Sequence, residues 1–123
     1  MNPYLKAYTS LDSEPSSKEE LLVEVYERLL EKLRLAILAI KEGNVKQKAE
    51  ILSKVTDVIV ILKTSLDMEK GGEIAKSLDA VYAFCLDRLL RANAHNDSKS
   101  LEEVIEVLTP VYEGFKEVVQ KKG

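Results

Sequence analysis

Residues 65–93, SLDMEKGGEIAKSLDAVYAFCLDRLLRAN, are the most informative stretch of this chain. Asp67 can cap a helix or turn the chain, and Gly71-Gly72 supplies backbone freedom that residues with a β-carbon lack. From Ile74 onward the apolar residues are spaced as on one face of a helix. That face consists of Ala75, Leu78, Tyr82, Cys85, Leu89 and Ala92. The stretch therefore predicts a helix end, a tight link and a second long helix.

The residues before this stretch predict two more helices. Ser17 and Glu20 have the spacing of a capping box at the start of the first helix. Gly43 is expected to end that helix, and Asn44 is expected to cap the next one. The first apolar face is Leu22, Tyr26, Leu29, Leu33, Ala36 and Ile40, and the second is Leu52, Val55, Ile59, Leu62 and Leu66.

The residues after the stretch predict a fourth helix. It is expected to begin near Ser98 or Ser100, since Ser100 and Glu103 form a second possible capping box. Its predicted apolar face is Leu101, Ile105, Leu108, Tyr112, Phe115 and Val119. Pro110 falls opposite this face, where water can satisfy the carbonyl that proline leaves free. We expect a mild bend there and not a break.

The predicted architecture is an all-α, antiparallel, up-down four-helix bundle with an N-terminal arm. Short links between long helices force neighbours to run antiparallel. Residues 1–16 contain two prolines and several serines without a sustained period, so we predict a mobile or loosely docked arm. Residues 17–123 form the bundle, with helices at about 18–42, 45–66, 72–93 and 99–120, boundaries read from the periodicity and caps.

Composition narrows the class of protein. The 123 residues suit one domain, and 46% hydrophobic with 32% charged residues suits a chain that buries a core. Eighteen basic and 21 acidic residues give a net charge of −3, which argues against a nucleic-acid binder. One cysteine rules out an intrachain disulfide framework. No secretory signal is apparent and no apolar run is long enough to insert into a membrane, so we expect a cytoplasmic protein.

Leu35, Leu38, Ile61 and Phe84 are apolar but lie on the sides of their helices that face away from the predicted core faces. At about 100° per residue, Leu38 lies about 160° from the centre of the first face. Such residues on three helices predict a partner-binding groove, because large apolar patches are rare on monomers. The alternative is that they are scattered or lie beneath the arm.

The arm itself carries apolar residues that suit a cover for such a groove. Tyr4 and Tyr8 are four residues apart, so one helical turn would place them on the same side, with Leu5 beside them. We predict that Tyr4, Leu5 and Tyr8 cover the groove in the free protein and yield to a partner.

Catalytic and metal chemistry find little support in the sequence. The single histidine, His95, falls in a predicted turn without the neighbours of a phosphotransfer site, and no Glu-x-x-His motif supports a di-metal bundle. Cys85 lies on a buried face and is expected to be a core residue. The link Gly71-Gly72 lacks the Lys-Ser/Thr of a phosphate-binding loop. We expect no catalytic residues, no metal and no cofactor, hence no enzyme.

The chain resembles the family of the flagellar secretion chaperone FliS. The matching positions run in fixed order: Ser65-Leu66-Asp67, Gly71-Gly72-Glu73-Ile74-Ala75, Leu78, Tyr82, Arg88-Leu89 and Ala92-Asn93. Earlier positions, Asn2-Pro3-Tyr4, Glu19-Glu20-Leu21-Leu22 and Val25-Tyr26, resemble the family's opening and first helix. The chain departs from the family in having Ser13-Glu14-Pro15 before helix 1 and no tryptophan in helix 4, where Phe115 stands nearest.

The resemblance implies a cytosolic export chaperone that binds the disordered C-terminal segment of flagellin. Such binding prevents premature polymerisation and keeps flagellin competent for type III flagellar secretion. The implied partners are flagellin, in a 1:1 complex with a monomeric chaperone, and the flagellar export apparatus.

Two other classes of protein remain compatible with the pattern. One is a signalling or phosphotransfer-type helical bundle, which His95→Ala would inactivate. The other is a self-associating structural helical protein, in which the off-face residues form a self-interface. Light scattering at several concentrations separates the second class from a monomeric chaperone.

Overall fold

The computed structural model describes residues 7–8 and 15–122, with side chains for 7–8 and 18–120. The described residues form four α-helices and no strand, which confirms the all-α prediction. Helix α1 is Pro15–Lys41, α2 is Val45–Thr64, α3 is Gly72–His95 and α4 is Ser98–Lys122. None of these four helices is both long enough and apolar enough to cross a membrane.

The helices pack as a closed ring in which each contacts two neighbours: α1 packs on α2 and α4, and α3 packs on α2 and α4. Polar contacts between helices show that neighbouring helices run antiparallel. Lys48, near the start of α2, bonds to Asn93, near the end of α3. Arg88, late in α3, lies 3.4 Å from the carboxylate of Glu103, early in α4. The short connections leave no room for parallel neighbours.

The core follows the predicted faces with one shift. On α2 and α3 the predicted face is buried throughout, and on α1 only Ile40 is partly exposed. On α4, Ile105, Tyr112 and Val119 are half-buried, while Val104 and Val111 are buried in place of the first two. The buried face of α4 therefore consists of Leu101, Val104, Leu108, Val111 and Phe115. At Val104 and Val111 the buried residue comes one position before the predicted one, which is a rotation of about a third of a turn around the helix axis. Both spacings fit a helix, and packing on α1 and α3 selects between them.

Helix ends show which caps form. Asn44 caps α2 as predicted, because its side chain accepts a hydrogen bond from the Gln47 amide at 3.1 Å. The predicted Ser17 cap is wrong, since α1 begins at Pro15 and Ser17 lies inside it. Proline suits that first position because its missing N–H has no helical partner to lose.

The capping box predicted for α4 is also replaced. Asp97 accepts hydrogen bonds from the Ser100 hydroxyl at 2.8 Å and the Lys99 amide at 3.1 Å, so Asp97 takes the capping role. These bonds, the hydroxyl bond first, hold the pKa of Asp97 below its ordinary value. Glu103 instead pairs with Arg88. The helix continues through Pro110, as predicted.

A lysine joins two helix ends in the bundle. Lys48 is buried, and its Nζ donates to the Asn93 carbonyl at 2.8 Å and to Asn96 Oδ1 at 2.6 Å. Asn96 ends α3 in the left-handed conformation, with φ of 52°. The positive charge thus meets the negative end of the α3 dipole, where a cation is favourable.

The link between α2 and α3 is packed against the N-terminal segment. The Asp67 amide donates to the Ala7 carbonyl at 2.7 Å, and the Asp67 side chain accepts from the Lys70 amide at 2.9 Å. Asp67 therefore turns the chain, as predicted. Of the two glycines in this link, only Gly72, with φ of 52°, uses the conformational freedom of glycine. Gly71 is required for space, because an added Cβ would lie 2.9 Å from the Ala7 Cα and 2.7 Å from the Asp67 carbonyl oxygen.

Candidate partner-binding surface

Three tyrosine hydroxyls form a chain in the core. Tyr8 donates to the Leu62 carbonyl at 3.1 Å, and its oxygen lies 2.6 Å from the Tyr82 hydroxyl. The Tyr82 oxygen lies 2.5 Å from the Tyr26 hydroxyl. Each hydroxyl has one proton to donate. The order that satisfies all three is therefore Tyr26 to Tyr82 to Tyr8 to Leu62.

This chain fixes residue 8 inside the bundle. Tyr8 and Tyr82 are fully buried, and burial, as the largest cause, raises the pKa of both phenols far above the ordinary value. The Phe115 ring packs against both Tyr26 and Tyr8, with centroids 5.5 and 6.4 Å away. Tyr8 is thus anchored in the core at the height where α2 ends.

An apolar cavity of about 260 Å³ opens beside Tyr8 between α1 and α2. Leu21 and Val25 of α1 and Val58 and Ile61 of α2 line it. Leu21 is 51% exposed and Ile61 is 61% exposed, although the core beneath them is closed. Two large apolar side chains therefore face solvent across one cleft.

A second cavity, of about 310 Å³, continues the first along the same two helices. The two cavities share Val25 and Val58, so they form one groove. Three cations line the second cavity: Arg28 and Lys32 from α1 and Lys54 from α2. We call the α1–α2 groove the surface formed by Leu21, Val25, Arg28, Lys32, Lys54, Val58 and Ile61.

The four predicted groove residues do not lie together. Ile61 lines the α1–α2 groove, and Leu35, 45% exposed, continues the α1 spacing 21, 25, 28, 32, 35. Leu38 is 51% exposed on α1, outside that spacing. Phe84 is half-buried under the Arg88 guanidinium, 4.6 Å from its ring centre, on the side of α3 that meets α4.

Of the three residues predicted to cover the groove, the structure describes only Tyr8. Tyr4 and Leu5 lie outside the described residues. Tyr8 does not lie over an outer surface, since its ring is in the core and forms the inner end of the groove. The reason is its hydroxyl, which finds two buried partners that no surface position would offer.

Residues with catalytic potential are not assembled into a site among the described residues. His95 is exposed in the last turn of α3, two residues beyond the predicted helix end. Burial raises the pKa of Cys85 to about 12, so its thiol is a poor nucleophile. No group of three or more potential metal ligands occurs in the described part of the chain.

Other clefts exist between neighbouring helices. One of about 380 Å³ between α2 and α3 carries Leu90, which is 70% exposed, beside Asp57. One of about 350 Å³ between α1 and α4 has charged walls that include Arg34 and Lys116. The α1–α2 groove combines exposed leucine and isoleucine with a cationic section, so it is the strongest candidate for partner binding.

Sequence reasoning missed most of this groove, although a signal was present. Positions 21, 25, 28, 32 and 35 on α1 alternate steps of four and three, as do 51, 54, 58, 61 and 65 on α2. These stripes run beside the core faces. The prediction took residues opposite the core faces, whereas Leu21, Val25 and Val58 lie at the edges of those faces.

Comparisons with known proteins agree along the whole chain. The family described as "Flagellar protein FliS" matches residues 1–122. The "Flagellar secretion chaperone FliS" of Vibrio cholerae is 34% identical over 122 residues, covering 96% of this chain and 90% of the relative. Its namesake in Salmonella typhimurium is 36% identical over 122 residues, covering 95% and 90%. The Bacillus subtilis namesake is 31% identical over 121 residues, covering 98% and 89%.

Proposed function

The chain belongs to the FliS family of flagellar proteins, and from that membership we propose that it binds the C-terminal segment of flagellin before export. Membership makes it a flagellar secretion chaperone, which is a binding protein and not an enzyme. The proposal adds the cargo, the cytoplasm as the place of binding, and a 1:1 complex. It also adds the purpose, which is to prevent premature polymerisation and keep flagellin fit for type III secretion.

The observation that supports this proposal is the α1–α2 groove. Leu21 and Ile61 remain more than half exposed beside a core that is already closed, so their exposure is not a defect of packing. Amphipathic helices commonly bind in grooves of this kind, with apolar side chains at helical spacing. A segment that orders on binding needs a long contact, since ordering it costs about 2–5 kcal/mol.

Calorimetric titration with a flagellin peptide tests the proposal directly. The peptide is the C-terminal segment of about forty residues, from the flagellin of the same genome, which is long enough for a wrapped contact. We expect saturable 1:1 binding with a negative heat-capacity change, because apolar surface is buried. Absence of binding by a folded, monomeric sample would refute it. Light scattering across concentrations, run on the same sample, would detect self-association in place of cargo binding.

We also propose that Tyr8 holds the N-terminal segment over one end of this groove and is displaced by the cargo. Removing Tyr8 from the core would leave the Tyr82 hydroxyl proton without its acceptor and the Leu62 carbonyl without its Tyr8 donor, so displacement is unfavourable unless the cargo compensates. Tyr8→Phe keeps the ring and removes the hydroxyl. We expect this variant to bind more of an apolar dye and to bind the flagellin peptide more tightly. Unchanged dye binding and affinity would contradict the proposal.

Docking of the loaded chaperone on the export apparatus is proposed from family membership. A pull-down of export-apparatus proteins with and without the flagellin peptide tests this step. No capture in either state would remove the proposed contact and leave flagellin binding untouched.

A further inference from the structure

The α1–α2 groove has a feature that apolar binding alone does not use. Its apolar end, at Leu21 and Ile61, gives way to a section walled by Lys32 from α1 and Lys54 from α2. Both lysines line the same cavity, so they face it from opposite walls. Beyond them the α1 spacing reaches Leu35, which is exposed again.

Nothing in the described part of the chain neutralises the two lysines. Arg28, the third cation of the groove, is paired with Glu24 at 2.9 Å. Within the described residues, neither Lys32 nor Lys54 forms an ion pair or a side-chain hydrogen bond. A purely apolar partner laid across them would desolvate two charges without compensation, which is unfavourable. A partner that brought carboxylates to this section would satisfy both lysines.

We propose that the α1–α2 groove selects an amphipathic helix whose apolar face is interrupted near its middle by Asp or Glu side chains that pair with Lys32 and Lys54. Along α1, the distance from Leu21 in the groove to the exposed Leu35, which lies about one turn beyond Lys32, is roughly 20 Å, or about four helical turns at 1.5 Å per residue. The apolar ends of the helix contact Leu21 and Ile61 at one end and Leu35 at the other. The inference rests on the proposed function, because the helix is taken to be part of the flagellin segment.

The charges add selectivity as well as attraction. A helix with lysine or arginine at its centre would place like charges in one cleft, which is strongly unfavourable. Apolar helices with neutral centres would leave the lysines desolvated. The groove thereby distinguishes its cargo helix from other amphipathic helices in the cell by charge pattern, while the apolar ends supply most of the contact area.

A matched pair of charge-reversal variants tests the inference. The test variant is Lys32→Glu with Lys54→Glu, and the control is Arg34→Glu with Lys116→Glu, which makes the same change in net charge in the α1–α4 cleft. Each is titrated with the C-terminal flagellin peptide in low salt, after circular dichroism has shown that both fold. We expect the test variant to bind roughly tenfold or more weakly, and the control to stay within about threefold of the original chain.

Salt and a modified peptide provide the second arm. Raising NaCl from about 50 to 300 mM should weaken binding by the original chain more than binding by the test variant, because salt screens the lost pairs. A peptide with every Asp and Glu replaced by Asn and Gln should bind the original chain and the test variant with similar affinity.

The outcomes separate the inference from the function on which it rests. If the original chain binds the peptide and the two variants bind equally well, the charge selection is refuted and flagellin binding stands. If the original chain does not bind the peptide, both fail together. Loss confined to the test variant, with loss of salt dependence, supports the assignment of Lys32 and Lys54.

Discussion

Tyr82 has a role that a residue without a hydroxyl could not fill. It accepts from Tyr26 and donates to Tyr8, and through Tyr8 the chain of hydroxyls ends on the Leu62 carbonyl. Buried hydrogen bonds are modest in net value, but leaving one partner unpaired costs about 1–3 kcal/mol. At the scale of single residues, the positions of Tyr8, Tyr26 and Tyr82 relative to one another are specified by polar atoms within an apolar core.

The tyrosine chain makes stability sensitive to alkaline pH. Native Tyr8 and Tyr82 keep their protons because burial raises the pKa of each phenol far above 10.0. Burial likewise raises the pKa of the Cys85 thiol to about 12. Unfolded, these groups lose protons near 9.0 for the thiol and 10.0 for the phenols. The unfolded state then binds fewer protons than the native state, so the free energy of unfolding falls as pH rises.

We expect no change from these groups below pH 8, a first decline from about pH 9 and a steeper one above 10, at about 1–3 kcal/mol per pH unit. Urea unfolding across this range measures the decline. Cys85→Ala should remove the decline in unfolding free energy between pH 9 and 10. Tyr82→Phe should reduce the slope of the decline above pH 10. Identical slopes in all three proteins would contradict the assignment.

Lys48 gives a second test at the same scale. Lys48→Met keeps the apolar stem but leaves the Asn93 carbonyl and Asn96 Oδ1 without their donor. We expect the free energy of unfolding to fall by about 1–3 kcal/mol. Lys46→Met, on the same helix and exposed, should stay within about 0.5 kcal/mol, as surface substitutions usually do. Equal losses of unfolding free energy in the two variants, measured by urea titration, would show that the hydrogen bonds of Lys48 do not stabilise the bundle.

At the scale of elements, the link between α2 and α3 is the most constrained part of the bundle. It turns at Asp67, whose amide donates to the Ala7 carbonyl, and at Gly71 it passes close to the Ala7 Cα. The two glycines of the link serve different needs. Gly72 has a left-handed φ with open space around it, while Gly71 has an ordinary φ of −79° and no space for a side chain.

Alanine substitutions separate these two needs. In Gly71→Ala the new Cβ would lie 2.6 Å from the Ala75 Cβ and 2.7 Å from the Asp67 carbonyl oxygen, so the backbone must shift. We expect a loss of about 2–3 kcal/mol, as for overpacking. Gly72→Ala meets only the strain of a left-handed residue, about 1 kcal/mol. A smaller loss for Gly71→Ala than for Gly72→Ala, by thermal or urea unfolding, would show that the link adapts.

At the scale of the whole molecule, the bundle closes over its single thiol. Cys85 has no exposed surface and lies in the same core cluster as Tyr82 and Phe115. A thiol reagent can reach it only when the packing of α3 against its neighbours opens. Labelling therefore reports how cooperatively the four helices hold together.

We expect native Cys85 to react at least about a thousandfold more slowly than the thiol of the urea-unfolded chain at pH 8, since burial excludes the reagent and raises the thiol pKa. Mass spectrometry over time measures the rate. Adding urea below the unfolding transition should speed labelling in parallel with the falling stability. Rapid labelling in native buffer would mean that α3 opens locally, without the rest of the bundle.

Local sequence pattern is enough to predict the four helices, most of their buried faces and the cap at Asn44. Helical periodicity and caps depend on residues within about one or two turns of each other, so both can be read from the order of residues in the sequence. The shift from Ile105 to Val104 on α4 was not in the pattern, because both positions continue a helical stripe from Leu101.

The contacts that join distant parts of the chain follow from helix packing and not from local pattern. It buried Tyr8 against Tyr82, carried Lys48 to the end of α3, and set Gly71 against Ala7. It also brought Lys32 and Lys54 into one groove. These placements depend on which helices pack side by side and at what height. Residues far apart in sequence become partners only when the core closes, and no local pattern specifies that pairing.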